Sequence, residues 1–199
     1  MKPRFVIDMD NTLYPSQFAR VCYELYGKPD NPGVELLKWD WHRDYGLTDE
    51  QFYAAVNVVH ASQLDYEPFP GAVEAITAWH EAGHHITIAT HRKTTVGNFE
   101  ALVGWLFVHH VPYDAIYMGL HGKEHLFGPS TIVIDDMPVL LRRAVELNCL
   151  LAVSLAHPYV KKTVDEFSPY TRMGETWAEV TEIINICLEA ENLRGHGLA

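Results

Sequence analysis

Five short apolar, β-branched runs punctuate the chain: Phe5 to Ile7, His85 to Ala89, Ala115 to Met118, Thr131 to Ile134 and Leu150 to Val153. Most are continuous rather than alternating, which suits strands buried on both faces of a sheet. Helical patterns lie between them. Ala72, Ile76 and Trp79 form one apolar stripe, stopped by Gly83; Val96, Phe99, Val103 and Leu106 form a second; Leu140, Leu141, Ala144 and Val145 form a third. Strands alternating with helices predict a parallel sheet covered by helices on both faces.

The first gap breaks that rhythm. The stretch 16–67 holds Phe18, Val21, Tyr23 and Leu25, then Val34, Leu36, Leu37, Trp39 and Trp41, then Phe52, Ala55, Val56 and Val59. It reads as two to four short helices broken near Pro29, Pro32 and Gly46, and it ends at the turn cluster Pro68-Phe69-Pro70-Gly71. The predicted architecture is therefore α/β: a Rossmann-like parallel sheet with helices on both faces and a small helical cap inserted after the first strand. Residues 1–15 and 68–199 form the core domain and 16–67 the cap. The residues from Leu193 to Ala199 are expected to fray.

The chain has 199 residues, 48% of them hydrophobic, which suffices for one real core. Its formal charge is −11, from 26 acidic and 15 basic residues. Such a surface repels polymeric nucleic acid and anionic membranes. A small anionic ligand is still accommodated if a metal and a few basic groups make one site locally positive. Cys22, Cys149 and Cys187 are odd in number and lack C-x-x-C spacing, so free thiols in a reducing cytoplasm are expected. No apolar run reaches membrane-spanning length, and the strand-like run begins too early for a signal peptide. A cytoplasmic location follows as the expectation. The sequence leaves a homodimer open.

Chemistry concentrates where the runs end. Asp8 and Asp10 follow Phe5-Val6-Ile7, and ligands of parallel α/β sheets bind at strand carboxyl ends. Residues i and i+2 of extended chain point the same way, so one acid can attack while the other moves a proton. A solvated acidic turn or a helix cap is the bland alternative. Asp135 and Asp136 end a second run, and two acidic strand ends sharing one crevice make an oxygen-rich site for Mg2+. The competing reading is a helix start before Pro138. Thr90 ends the second run as a phosphate donor or an N-cap. Lys123 follows the third run, placed to neutralise phosphate and keep an aspartate ionised, or else is a surface lysine. His91 and Arg92, beside Thr90, are further phosphate candidates. The doublets His84-His85 and His109-His110 lack metal-site spacing on a helix.

In order and spacing, these pieces resemble the four motifs of the haloacid dehalogenase superfamily of phosphatases. Asp8-Met9-Asp10-Asn11-Thr12 matches its D-x-D-x-T motif, Thr90 its second motif, Lys123 its third and Asp135-Asp136 its fourth. Within it the chain looks most like the deoxyribonucleotidase, or 5′-nucleotidase C, group, through Pro68 to Ala72, Ile134-Asp135-Asp136, His157-Pro158-Tyr159 and Thr176 to Val180. That group commonly carries Ser after the second-motif Thr, where this chain has His91. The resemblance implies a magnesium-dependent phosphomonoester hydrolase. Asp8 is its nucleophile; Asp10 is its acid and base, with its backbone carbonyl on the metal. Asp136 and Asp135 complete the metal site, and Thr90 and Lys123 hold the phosphoryl group. The partner implied is a small phosphorylated metabolite, a (deoxy)nucleoside monophosphate, whose base would meet the cap aromatics Trp39, Trp41, Phe52 and Tyr53. A sugar-phosphate phosphatase with the same machinery and a non-catalytic binder of phosphorylated ligands are the alternatives.

Overall fold

The computed structural model of the chain describes residues 2–31, 33, 35–119 and 122–195. Six parallel strands form one sheet: β1 (Arg4–Ile7), β2 (His85–Thr90), β3 (Ala115–Met118), β4 (Thr131–Ile134), β5 (Leu151–Leu155) and β6 (Thr171–Gly174), in the order β3-β2-β1-β4-β5-β6. Five correspond to the apolar runs. The sixth, Thr-Arg-Met-Gly, is a sheet-edge strand with no apolar run, which is why sequence patterning passes over it.

Alternate residues of the strands feed two cores. Phe5, Ile7, Ile86, Ile88, Ile132, Ile134 and Val153 pack on one face against α4 (Ala72–Glu81), α5 (Val96–Val108) and α8 (Trp177–Gly195). Val6, Ala89, Val133 and Ala152 face α6 (Pro138–Glu146) and α7 (Lys161–Phe167). Each fully buried Ile or Phe contributes roughly 1.5–3 kcal/mol. The stripes of α4 and α6 lie inward as the pattern predicts: Ala72, Ile76, Trp79, Leu140, Leu141 and Ala144 are all buried. α5 corrects its expected stripe. It buries Leu102, Trp105 and Leu106, whereas Val96 is 74% and Phe99 47% exposed. Its sequence is apolar on nearly every side, so periodicity cannot fix its rotation. Leu193 continues α8 rather than fraying, and residues 196–199 lie outside the described part.

Between β1 and α4 the chain builds α1 (Phe18–Tyr26), α2 (Trp41–Asp44), α3 (Asp49–Ala61) and a 3-10 turn, Gln63–Asp65. α1 stops at Gly27, whose φ of 66° is the left-handed stop that glycine adopts without strain. α3 starts with a capping box, in which Thr48 accepts from the Gln51 N–H and Gln51 accepts from the Thr48 N–H. Val21, Cys22, Trp41, Leu47, Ala55 and Val59 give these helices a cluster of their own. The expectations at Pro32 and Val34 fall outside the described residues. Among the described residues no helix is long and apolar enough to cross a membrane.

Candidate active site

The chain moves outward from β1 in both directions, to β2 and β3 on one side and to β4, β5 and β6 on the other. Such a topological switch point leaves a crevice at the carboxyl ends of the central strands. Asp8 follows β1, and its N–H donates to the Ile134 carbonyl at 2.9 Å. Asp135 follows β4 and donates to Val153 at 3.0 Å. Thr90 closes β2, and the segment after β3 carries Lys123 to the same place.

Lys123 is 1% exposed. Its Nζ donates to Asp8 Oδ1, to the Ala89 carbonyl at 2.9 Å and lies 2.7 Å from Asp135 Oδ2. It is thus a buried ion-pair partner and no surface lysine. Asp8, Asp135 and Asp136 each offer a carboxylate oxygen within 4.8 Å of the others. Burial pushes the Asp8 carboxyl up to about 7; Lys123 opposes that rise, and Asp135 and Asp10 add to it. Burial, then Asp8 and Asp135, also hold Asp136 well above the usual carboxylate range. Burial works against the Lys123 ammonium, but Asp135 and Asp8 more than offset it and raise its pKa. Three buried carboxylates face one ammonium, so the cluster is short of positive charge. An all-oxygen donor set with that deficit fits a hard divalent cation such as magnesium. The Thr90 hydroxyl is buried without a hydrogen-bond partner. A buried donor left unmade costs about 1–3 kcal/mol, so it suits an acceptor brought by a ligand.

Asp10 sits in a separate clamp. Its carboxylate accepts from Tyr14 Oη at 2.5 Å, Ser16 Oγ at 3.0 Å and Arg92 Nη2 at 3.1 Å, and His60 Nε2 lies 3.3 Å away. Burial opposes its ionisation, yet Arg92 and His60 hold its pKa well below the ordinary range. Arg92 does not reach the position expected of a phosphate ligand. It is 1% exposed, and its guanidinium also donates to Gln63 Oε1 and to Tyr14 Oη at 2.7 Å. A buried guanidinium needs a carboxylate beside it, and Asp10 is that partner. His91 does reach the cavity, half-buried, with burial and then Lys123 lowering its pKa.

The acids open into a cavity of about 840 Å3 whose far wall comes from the helical insertion. All four cap aromatics reach it, but unequally. Trp41, 5% exposed, belongs to the insertion's own core, and Phe52 packs edge-on against Trp41 and stacks on His42 at 4.3 Å. Trp39 and Tyr53 are 44% and 62% exposed and leave ring surface available. Sequence reasoning missed Tyr14, Ser16, His60 and Gln63 around Asp10 and Arg92, and it named Tyr159 without giving it a place in the site. Tyr159 donates to Asp136 Oδ2 at 2.7 Å, and its place just beyond β5, at the strand ends where ligands bind, was the signal that could have placed it.

No protein-family model and no curated protein sequence matches the chain. Solved structures do. A haloacid dehalogenase-like hydrolase from Streptococcus pneumoniae superposes with a TM-score of 0.62 at 16% identity, covering 92% of this chain and 98% of that one. A predicted phosphatase from Clostridium acetobutylicum gives 0.62 at 17% identity, over 92% and 99%. CbbY from Rhodobacter sphaeroides, in complex with phosphate, gives 0.60 at 17%, over 90% and 96%. The fold is therefore that of haloacid dehalogenase-type hydrolases.

Proposed function

We propose that this chain is a magnesium-dependent phosphomonoester hydrolase working through an aspartyl-phosphate on Asp8. The observation that carries this reading is the convergence of Asp8, the unpartnered Thr90 hydroxyl and Asp135-Asp136, from the ends of β1, β2 and β4, with Lys123, from the segment after β3, on one cavity. Asp8 attacks phosphorus and the ester oxygen departs; water then cleaves the acyl phosphate and restores Asp8. Lys123 and Thr90 hold the phosphoryl oxygens, with His91 at the rim. Magnesium, held by Asp8, the Asp10 carbonyl, Asp136 and Asp135, would neutralise charge on those oxygens. Arg92 and His60 keep Asp10 ionised but lower its basicity, so it works as base toward water only when that clamp loosens. To protonate a departing alcohol it must first swing clear of Arg92 and His60. Residues 16–67 act as the cap over residues 1–15 and 68–199, in a cytoplasmic enzyme.

Charge on the cap favours a leaving group without a second anion. Arg20 and Arg43, both at the cavity, are already paired with Glu24 and Asp49, while Glu35 and Asp40 add negative charge. A nucleoside fits that wall, with its base against Trp39 or Tyr53. Base–aromatic stacking is worth about 1–3 kcal/mol, or roughly tenfold to a hundredfold in affinity. Trp39→Ala should raise KM for nucleoside monophosphates by about that factor and leave glycerol phosphate unchanged. An unchanged ratio between the two substrates in folded Trp39→Ala and Tyr53→Ala variants would replace the nucleotide with a neutral sugar phosphate, whose hydroxyls the cap carboxylates would accept. No phosphate release from any ester would leave a non-catalytic binder.

The raised carboxyls give the cation a pH signature. Ligand carboxylates must be deprotonated, so protons compete with metal. Below pH 7, where Asp8 is protonated, the apparent dissociation constant for magnesium should rise about tenfold per pH unit for each proton displaced. Calorimetric titration between pH 5.5 and 8 reads this directly; a pH-independent affinity contradicts it.

A further inference from the structure

We infer that Tyr159 is a positioning residue that fixes the carboxylate of Asp136 for the cation and ties it to the cap. The inference rests on the metal-site reading above and adds a residue to it. Its hydroxyl donates to Asp136 Oδ2 at 2.7 Å and lies 3.5 Å from Asn11 Nδ2. Its ring has two aromatic neighbours. His157 stacks parallel to it with ring centroids 5.1 Å apart, and Trp39 from the cap meets it edge-on at 5.6 Å. His157 is itself anchored, through Nε2 on the Asn11 carbonyl at 2.9 Å. Asn11 holds φ at 54°, a left-handed bend that asparagine tolerates, immediately after Asp10.

These contacts join three parts of the site. The turn beyond β5 presents Tyr159, the loop beyond β1 presents Asn11, and the helix start beyond β4 presents Asp136. A carboxylate whose second oxygen accepts a fixed hydroxyl cannot rotate freely, so its remaining lone pairs keep one direction toward Asp8 and Asp135. Outer hydrogen bonds of this kind orient metal ligands, and losing one commonly costs 10–100-fold in affinity. Trp39 presses on the same ring, so the cap wall and the metal carboxylate share one side chain.

The test uses Mn2+ as probe for the magnesium site, with free Mn2+ measured by electron paramagnetic resonance and no substrate present. Tyr159→Phe keeps the ring and its packing and removes only the donor. It should weaken Mn2+ binding by about 10–100-fold with an unchanged melting temperature in the metal-free protein. Tyr170→Phe removes the hydroxyl of a tyrosine that is 61% exposed and lies outside the cavity, and should bind Mn2+ as the parent does. Mn2+ affinity within twofold of the parent in folded Tyr159→Phe overturns the inference, as does equal weakening in both variants. A parent chain that binds no Mn2+ fails the metal site itself, which is a different result from failure of the tyrosine.

Discussion

Asp8→Asn should abolish phosphate release, by at least about 10⁴-fold in kcat, while the protein stays folded. Removing the nucleophile of a covalent mechanism costs on the order of 10⁶ in a well-studied hydrolase, and the rest of such a site leaves only residual catalysis. The fold should tolerate the change for a reason specific to this position. Burial pushes the Asp8 carboxyl up to about 7, so its ionised form is the one the site resists. A neutral amide of the same shape removes that resistance, along with one ion pair to Lys123. Far-UV circular dichroism and a melting curve establish that the variant is folded, and a phosphate-release assay with magnesium reads the loss. Near-parental turnover by the folded variant removes Asp8 as nucleophile.

How this position can be read from sequence has a physical basis. A strand buried on both faces must be apolar throughout, so the first carboxylates after it stand at the carboxyl ends of the strands. That is why Asp8, Thr90 and Asp135-Asp136 can be placed together from the runs before them, and why five strands are legible. β6 is not, because an edge strand needs no continuous apolar run. α5 is legible as a helix but not in its rotation, since apolar side chains surround it. The clamp on Asp10 is legible least of all. His60 and Gln63 come from the end of the helical insertion, and only the folded chain brings them to Arg92 and Asp10. Arg92 shows the limit most plainly: its neighbour Thr90 suggests phosphate, but its burial demands a carboxylate. The cap aromatics divide in the same way. Sequence supplies four rings, and packing alone decides that Trp41 and Phe52 build the insertion while Trp39 and Tyr53 keep open faces.

Lys123→Met should produce the largest loss of stability at neutral pH, about 3–5 kcal/mol, because it removes the partner of buried charges and leaves them uncompensated. The lysine is 1% exposed and lies between Asp8 and Asp135, with Asp136 in the same cluster. Two conditions should restore much of the loss. The first is acid. The Asp8 carboxyl ionises near pH 7 when folded against an ordinary value of 3.8. Between those values the native state binds more protons than the unfolded one, so this group's contribution to stability falls as pH rises. Without Lys123, which lowers the Asp8 pKa, that pH window extends further upward. The variant should therefore gain more stability than the parent on going from pH 7.5 to pH 5.5. The second is magnesium, which at neutral pH replaces the missing positive charge and stabilises by mass action. Urea unfolding at both pH values, with and without magnesium, separates these effects. If the deficit at pH 7.5 is unchanged at pH 5.5 and unchanged by magnesium, the cost is lost packing rather than uncompensated charge, and the electrostatic account of the site is wrong.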